Sequence, residues 1–311
     1  MDWTLHISCP NDLDAELNDL LQFERSPLIR PYLASIARLI TEYFGGIEIT
    51  GCVFGNEFCE HLIPSTASLS SALAAAQERN LSFTFLTPYV SNKGIAVLRP
   101  LFEWLDRRGG CEVVFNDWGV LNLLRREFPN LSPVQGRLLN KSLRDPRVTS
   151  MYAAAPAPTA AIAALQRSNL DCESYTAFLL RLGVEVVETD NLPQGNDLSF
   201  IENGMKIGVY LPFGFISTSR ICMAAGLHYR KQDKFQPGAA CRHECQTHLL
   251  EYTFTNSPFG NRDQKFYLKG NSYFYIHTEA MLRALFEQAR RGMIARLTLQ
   301  PRAPMALDVR C

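Results

Sequence analysis

Net charge is the first thing this chain lacks: 31 Lys and Arg residues balance 31 Asp and Glu. A zero balance excludes a chain-wide basic field. It therefore argues against a dedicated nucleic-acid or anionic-membrane binder, while leaving local patches open. No run approaches ~18 consecutive apolar residues, so no transmembrane helix is expected. The opening stretch, MDWTLHISCPNDLDAELNDL, has no basic start followed by an apolar run, so no secretory leader is expected. HExxH, G-x-S-x-G, P-loop and GxGxxG patterns are all missing. Zinc-peptidase, serine-hydrolase and nucleotide chemistry thus have no local signature, and peptidase activity finds no support.

What the chain does have is nine cysteines and a hydrophobic fraction of 47%. Without a leader, such thiols point to a reducing compartment, hence to the cytoplasm, where metal binding is commoner than disulfide formation. The apolar fraction is enough for a large core, organised as one domain of 1–311.

Runs dense in Val, Ile, Phe and Thr predict strands at 3–8, 46–54, 81–87, 111–117, 132–138, 183–190 and 206–213. Helical periodicity fills 11–23, 28–44, 67–79, 92–108, 118–127, 159–166 and 172–182. Strict βα alternation calls for parallel strands with right-handed crossovers. The expected fold is α/β, a (β/α)8 TIM-barrel-like structure whose eighth strand lies in the final third; an open doubly wound sheet is the alternative. The last part differs. EYTFTN (251–256), QKFYLKG (264–270) and NSYFYIH (271–277) read as antiparallel strands joined at Lys-Gly-Asn, with a helix at 278–291. Together they form a C-terminal extension, 251–311, packed on the barrel. The Ala/Pro stretch 152–161 reads as a surface linker.

Three cysteines, Cys222, Cys241 and Cys245, sit in the loop RICMAAGLHYRKQDKFQPGAACRHECQ, after the seventh strand. Loops after barrel strands gather on one face. Strands 7 and 2 of a closed barrel are separated only by 8 and 1, so the loop after strand 2 can bring Cys59 to the triplet. Cys52 lies within a strand and reads as a core hydrophobe, as do Cys9, Cys111 and Cys172; Cys311 ends the chain. Four thiolates suit a [4Fe–4S] cluster or a structural zinc. His228, His243 and His248 lie close enough in sequence to replace a sulfur on zinc. Unligated thiols are the third reading.

Asn116 and Asp117 end the fourth strand, where barrel enzymes place catalytic groups. Asp117 can handle a proton; it can equally cap the next helix. Arg137, Asn140, Lys141, Arg144 and Arg147 form a basic stretch after the fifth strand. Arg137 and Asn140 are candidates to hold an anionic substrate group, and a solvated partner-facing surface is the plain alternative. The aromatics Tyr267, Tyr273, Phe274 and Tyr275 read as strand packing rather than a base-stacking platform.

The segments CEVVFNDWGVLNLL and SPVQGRLLNKSLRDPR resemble the collagenase-like peptidase family of unassigned catalytic type. VFGNEFCEH resembles the Gly-Glu-x-x-Cys of its UbiV branch, which serves oxygen-independent ubiquinone biosynthesis. RICMAAGLHYRKQDKFQPGAACRHEC resembles that branch's cysteine signature, with two extra residues in the long gap. The sister UbiU type has a further cysteine where this chain has Phe215. The resemblance spans 46–277. It implies a barrel with a [4Fe–4S] cluster on Cys59, Cys222, Cys241 and Cys245. It also implies a heterodimer with a UbiU-type barrel protein, contact with other ubiquinone-biosynthesis proteins, and a role as one subunit of an oxygen-independent hydroxylase complex. Other family members modify RNA, so an RNA-base hydroxylase is the alternative within the enzyme class. A non-enzymatic module built on zinc is the second.

Overall fold

In the computed structural model, which describes residues 1–14, 27–149, 157–234, 240–253 and 264–305, eight short strands close into a parallel barrel. In chain order these are β1 (Asp2–Ile7), β2 (Ile49–Gly55), β3 (Ser82–Leu86), β4 (Glu112–Phe115), β5 (Ser132–Gln135), β6 (Val186–Thr189) and β7 (Lys206–Leu211). A late strand, Arg296–Leu299, pairs in parallel with both β1 and β7 and closes the ring. The expected α/β barrel is therefore the observed fold, with its eighth strand in the final third.

Seven helices are described: α1 (Arg30–Phe44), α2 (Thr66–Glu78), α3 (Asn92–Asp106), α4 (Trp118–Glu127), α5 (Thr159–Gln166), α6 (Glu173–Arg181) and α7 (Glu279–Arg290). Most bury one apolar stripe. In α1 it is Leu33, Ile36, Leu39 and Ile40; in α7 it is Leu282, Leu285, Phe286 and Ala289. These two helices pack against each other, with Trp3, Tyr43, Phe44 and Phe286 forming an aromatic cluster between them. Ser65, Ser91, Asp117 and Thr278 cap their helices, each accepting a backbone N–H. Most of the expected helix over 11–23 lies outside the described residues; its start is a 3-10 turn, Pro10–Asp14. The described part of the expected linker already enters α5.

The predicted strand 206–213 proves to be the junction of two. Pro212 has no N–H to give a ladder. Beyond it the chain leaves the barrel as β8 (Phe213–Thr218), at the edge of a second, antiparallel sheet. Its order is β8, β11 (Ser272–Ile276), β10 (Phe266–Lys269), β9 (Leu250–Tyr252); the closing barrel strand is then β12. The expected strands at 264–270 and 271–277 are β10 and β11; that at 251–256 is β9, with 254–256 outside the described residues.

The barrel interior is not purely apolar. Val53, Leu86, Val114 and Val134 form a small cluster separate from the main core between strands and helices. Around it lie polar side chains. Arg296 of β12 reaches Glu112 of β4 at 2.7 Å, a pairing of non-neighbouring strands that only the lumen permits. Thr4 meets Thr298 at 2.9 Å, and Tyr210 donates to Glu188 at 3.0 Å. Glu188 is fully buried, and its second oxygen has no hydrogen-bond partner among the described residues. Burial and the nearby Glu57 charge push its carboxyl up to about 8. The folded chain thus holds a proton that the unfolded chain loses near pH ~4.5. Stability should fall as pH rises from about 5 to about 8 and level off above that. Glu188→Gln, which keeps a donor where the proton sat, is expected to flatten this fall in urea-unfolding midpoints taken across the range.

Candidate functional site at the barrel mouth

Cys59 follows β2 in a tightly tied turn. Gly55 ends the strand at φ +128°, with its Cα against the Leu86 carbonyl, where a side chain has no room. Asn56 then accepts from Phe58 N (2.9 Å) and Cys59 N (3.1 Å) through its Oδ1. Asn271, at the β10–β11 turn, donates to Phe58 O at 2.7 Å. The Phe58 ring lies against Phe215 and Phe274, centroids 5.7 and 5.0 Å apart.

The other three cysteines come from the excursion between β8 and β9. Cys59, Cys222, Cys241 and Cys245 all line one small cavity of about 60 Å³, with Glu244, Asn271 and Met305. Each sulfur has an N–H donor beside it. Ala225 N approaches Cys222 and His243 N approaches Cys241, both at 3.4 Å; Gln246 Nε2 lies 3.2 Å from Cys245; the His61 backbone serves Cys59. Burial pushes the Cys59 thiol up to about 12 and raises Cys222 and Cys245. Such thiols stay protonated until a cation replaces the proton. Of the candidate histidines, His228 faces Glu244 at 3.4 Å. Among the described residues, no three His, Cys, Asp or Glu side chains stand close enough to grip a single metal ion. The donor set, with an N–H to each sulfur, fits an iron–sulfur cluster.

Cys52 and Cys111 are buried or half-buried away from this cavity, as the packing reading requires. Cys172 is instead exposed, at the N-cap of α6 beside Ser174. Cys9 is buried and disulfide-bonded, so packing alone does not describe it. Cys311 lies outside the described residues.

Beside the thiols is a larger cavity of about 540 Å³ at the C-terminal ends of β3 to β5, roofed by β8. Tyr89, Asn116, Lys141, Arg144, Phe215 and Thr218 are among its walls. Tyr89 also lines a third cavity, of about 250 Å³, that includes Cys59 and Arg220. The mouth thus runs from the large cavity to the thiols past one tyrosine ring.

The rim residues singled out from sequence part company here. Asn116 lines the large cavity, but its amide is engaged: Nδ2 donates to Thr87 O (2.9 Å) and Oδ1 accepts from Leu138 N (3.2 Å). It braces the ends of β3, β4 and β5, and its side chain sits where a Cβ on Gly136 would go. That is why β5 stops at Gln135 rather than running to 138. Asp117 caps α4, accepting from Gly119 N at 2.7 Å, and is not among the cavity walls. Asp117→Ala should cost about 1 kcal/mol of stability, read by urea unfolding. Asn140 is buried, its Oδ1 without a hydrogen-bond partner among the described residues, beside Thr189 in a separate space of about 10 Å³.

Arg137 is wholly buried. Its Nε and Nη2 donate to Glu57 at 2.6–3.1 Å, and its Nη1 donates to Asp190 Oδ1 (2.9 Å) and Phe213 O (2.8 Å). The guanidinium lies 4.4 Å from the Tyr210 ring centroid. Asp190 Oδ2 accepts from Arg144 Nε at 3.1 Å. Burial pushes Glu57 up, and the charge and hydrogen bonds of Arg137, which keeps its proton, oppose that rise. Sequence reasoning found Arg137 and Arg144 but missed Glu57, Glu188, Asp190 and Tyr210.

These features define a closed (β/α)8 barrel with a four-thiol cavity at its mouth beside a larger open one. No family model and no curated protein matches the sequence. Among solved structures, a U32 peptidase is similar at 13% identity and TM-score 0.42, over 99% of this chain and 95% of that one. A family 18 N-acetylglucosaminidase from Paenibacillus barengoltzii is similar at 9% identity and TM-score 0.36, over 96% and 94%. The spore cortex-lytic enzyme SleL of Bacillus megaterium gives 8% identity and TM-score 0.34, over 99% and 71%. No helix among the described residues is long and apolar enough to cross a membrane.

Proposed function

We propose that this protein binds one [4Fe–4S] cluster through Cys59, Cys222, Cys241 and Cys245 and serves as a redox subunit in oxygen-independent hydroxylation. The observation that carries the reading is that these four thiols, from two distant segments, line one cavity with an N–H donor at each sulfur. When bound, a cluster would supply one-electron transfer. The chain's own residues do the rest. The large cavity takes the substrate, with Asn116 holding its wall in shape and Tyr89 and Thr218, tied to Asn271 and Ser272 through their hydroxyls, lining it. Lys141 brings one positive charge to its side, while Arg144 is paired with Asp190 and Asp145 adds a carboxylate to the wall. Asp117 stays with its helix cap, and Arg137 and Asn140 act from behind the wall rather than on the substrate.

The likeness of the cysteine-bearing segments to the UbiV branch gives this reading its pathway, ubiquinone biosynthesis without oxygen. It also gives it a partner, a UbiU-type barrel protein. Protein purified without air should be brown and carry about four irons and four sulfides per chain. It should co-elute with a co-expressed UbiU-type protein on gel filtration. Stoichiometric zinc without iron would replace this reading with the structural-zinc module. Loss of one modified RNA base in a deletion strain, with quinone intact, would favour the RNA-modifying alternative.

A further inference from the structure

Glu57 lies two residues before Cys59 and is pinned from inside the barrel by Arg137 through three N–H to carboxylate contacts of 2.6–3.1 Å. Arg137 follows β5; its other end meets Asp190, after β6, which is shared with Arg144. Arg144 is a wall of the large cavity and donates through Nη2 to the Arg137 carbonyl at 3.0 Å. Arg144, Asp190, Arg137 and Glu57 therefore form an unbroken buried chain, from the cavity wall to the turn that presents Cys59. Each link is a charged pair between buried side chains, so none can lengthen cheaply. Cys59 itself is the cysteine supplied by the barrel; the other three ride on the excursion after β8.

We propose that Glu57 and Arg137 are positioning residues for Cys59, a strut that fixes this thiol against the other three and ties it to the wall of the large cavity. The proposal rests on the four thiols working as one site. Its test uses metal-free protein, so it is decided separately from iron binding.

The metal-free, reduced chain is treated with iodoacetamide, and the rate at each cysteine is read by mass spectrometry. Two variants are compared with the native chain. Arg137→Lys keeps the charge and loses the fork. The double variant Glu57→Leu with Arg137→Met removes both charges and keeps the volume filled, an exchange that buried pairs often tolerate. Circular dichroism establishes that each is folded, and the double variant decides the matter if Arg137→Lys does not fold. Cys59 should alkylate about tenfold faster relative to Cys222, Cys241 and Cys245, the factor given by a ~1.4 kcal/mol easier local opening. An unchanged Cys59 in the folded double variant overturns the proposal. So does an equal rise at all four thiols, which would mean general loosening.

Discussion

Replacing any one of Cys59, Cys222, Cys241 or Cys245 by alanine is expected to strip most of the iron from protein purified without air. The visible absorption should fall with it, from about four irons per chain toward none. The reason is geometric. All four sulfurs line one cavity of about 60 Å³, and no other cysteine among the described residues reaches it. His61 also lines that cavity, while His228 faces Glu244 at 3.4 Å, so His61→Ala belongs beside the cysteine variants as a test of histidine ligation. Cys52→Ala and Cys111→Ala are the controls. Cys52 is sealed in the core between barrel and helices, and Cys111 lies at the foot of β4, at the opposite end of the barrel. Both should keep their iron. Iron retained in the Cys59→Ala protein would remove the barrel's own cysteine from the site and leave a three-thiol centre on the excursion.

The second large effect is on stability. Arg137→Met should cost about 3–5 kcal/mol, the usual consequence of stranding a buried charge. Two carboxylates, Glu57 and Asp190, lose their partner at once, and only Asp190 has another cation, Arg144. Urea unfolding of the purified protein checks this. Removing Arg38 or Arg283 at the surface, whose pairs with Glu42 and Glu279 are solvated, should change the midpoint little. A folded Arg137→Met protein as stable as the native one would mean that Glu57 takes up a proton and the network is dispensable.

How much of this could be read from residues alone follows from what each feature writes into the sequence. Strands buried on both faces leave dense Val, Ile and Phe runs, so seven barrel strands stood out, and the eighth was expected where it is found. The boundary between β7 and β8 left only one proline within a continuous apolar stretch, and the two merged into one expected strand. Cysteine spacing carried the thiol cavity, because few structures other than a shared centre need three thiols in a polar loop. The buried charges were harder. A lone Glu57 or Asp190 looks like a surface residue. A signal did exist in GVEVVETD: Glu188 and Asp190 are two apart, so in a strand they share a face. A strand covered on both sides must bury that face. The same logic ranked Arg137 as a substrate-facing group, because a basic residue after a strand gives no hint of carboxylates arriving from two other strands.

The polypeptide leaves the barrel after β7 and rejoins it only at α7, and everything between is an insertion in place of a single connecting loop. Three thiols belong to that insertion and the fourth to the barrel itself. A group held by all four would therefore be a clasp between the inserted lobe and the barrel. Its binding free energy goes into holding the two together as well as into filling the site, since it favours only the closed arrangement. Without the group the lobe would be held by the remaining contacts alone, among them Asn271 to Phe58 O and the Phe58 ring against Phe215 and Phe274, so the roof of the large cavity, formed by β8, would have one fastening fewer.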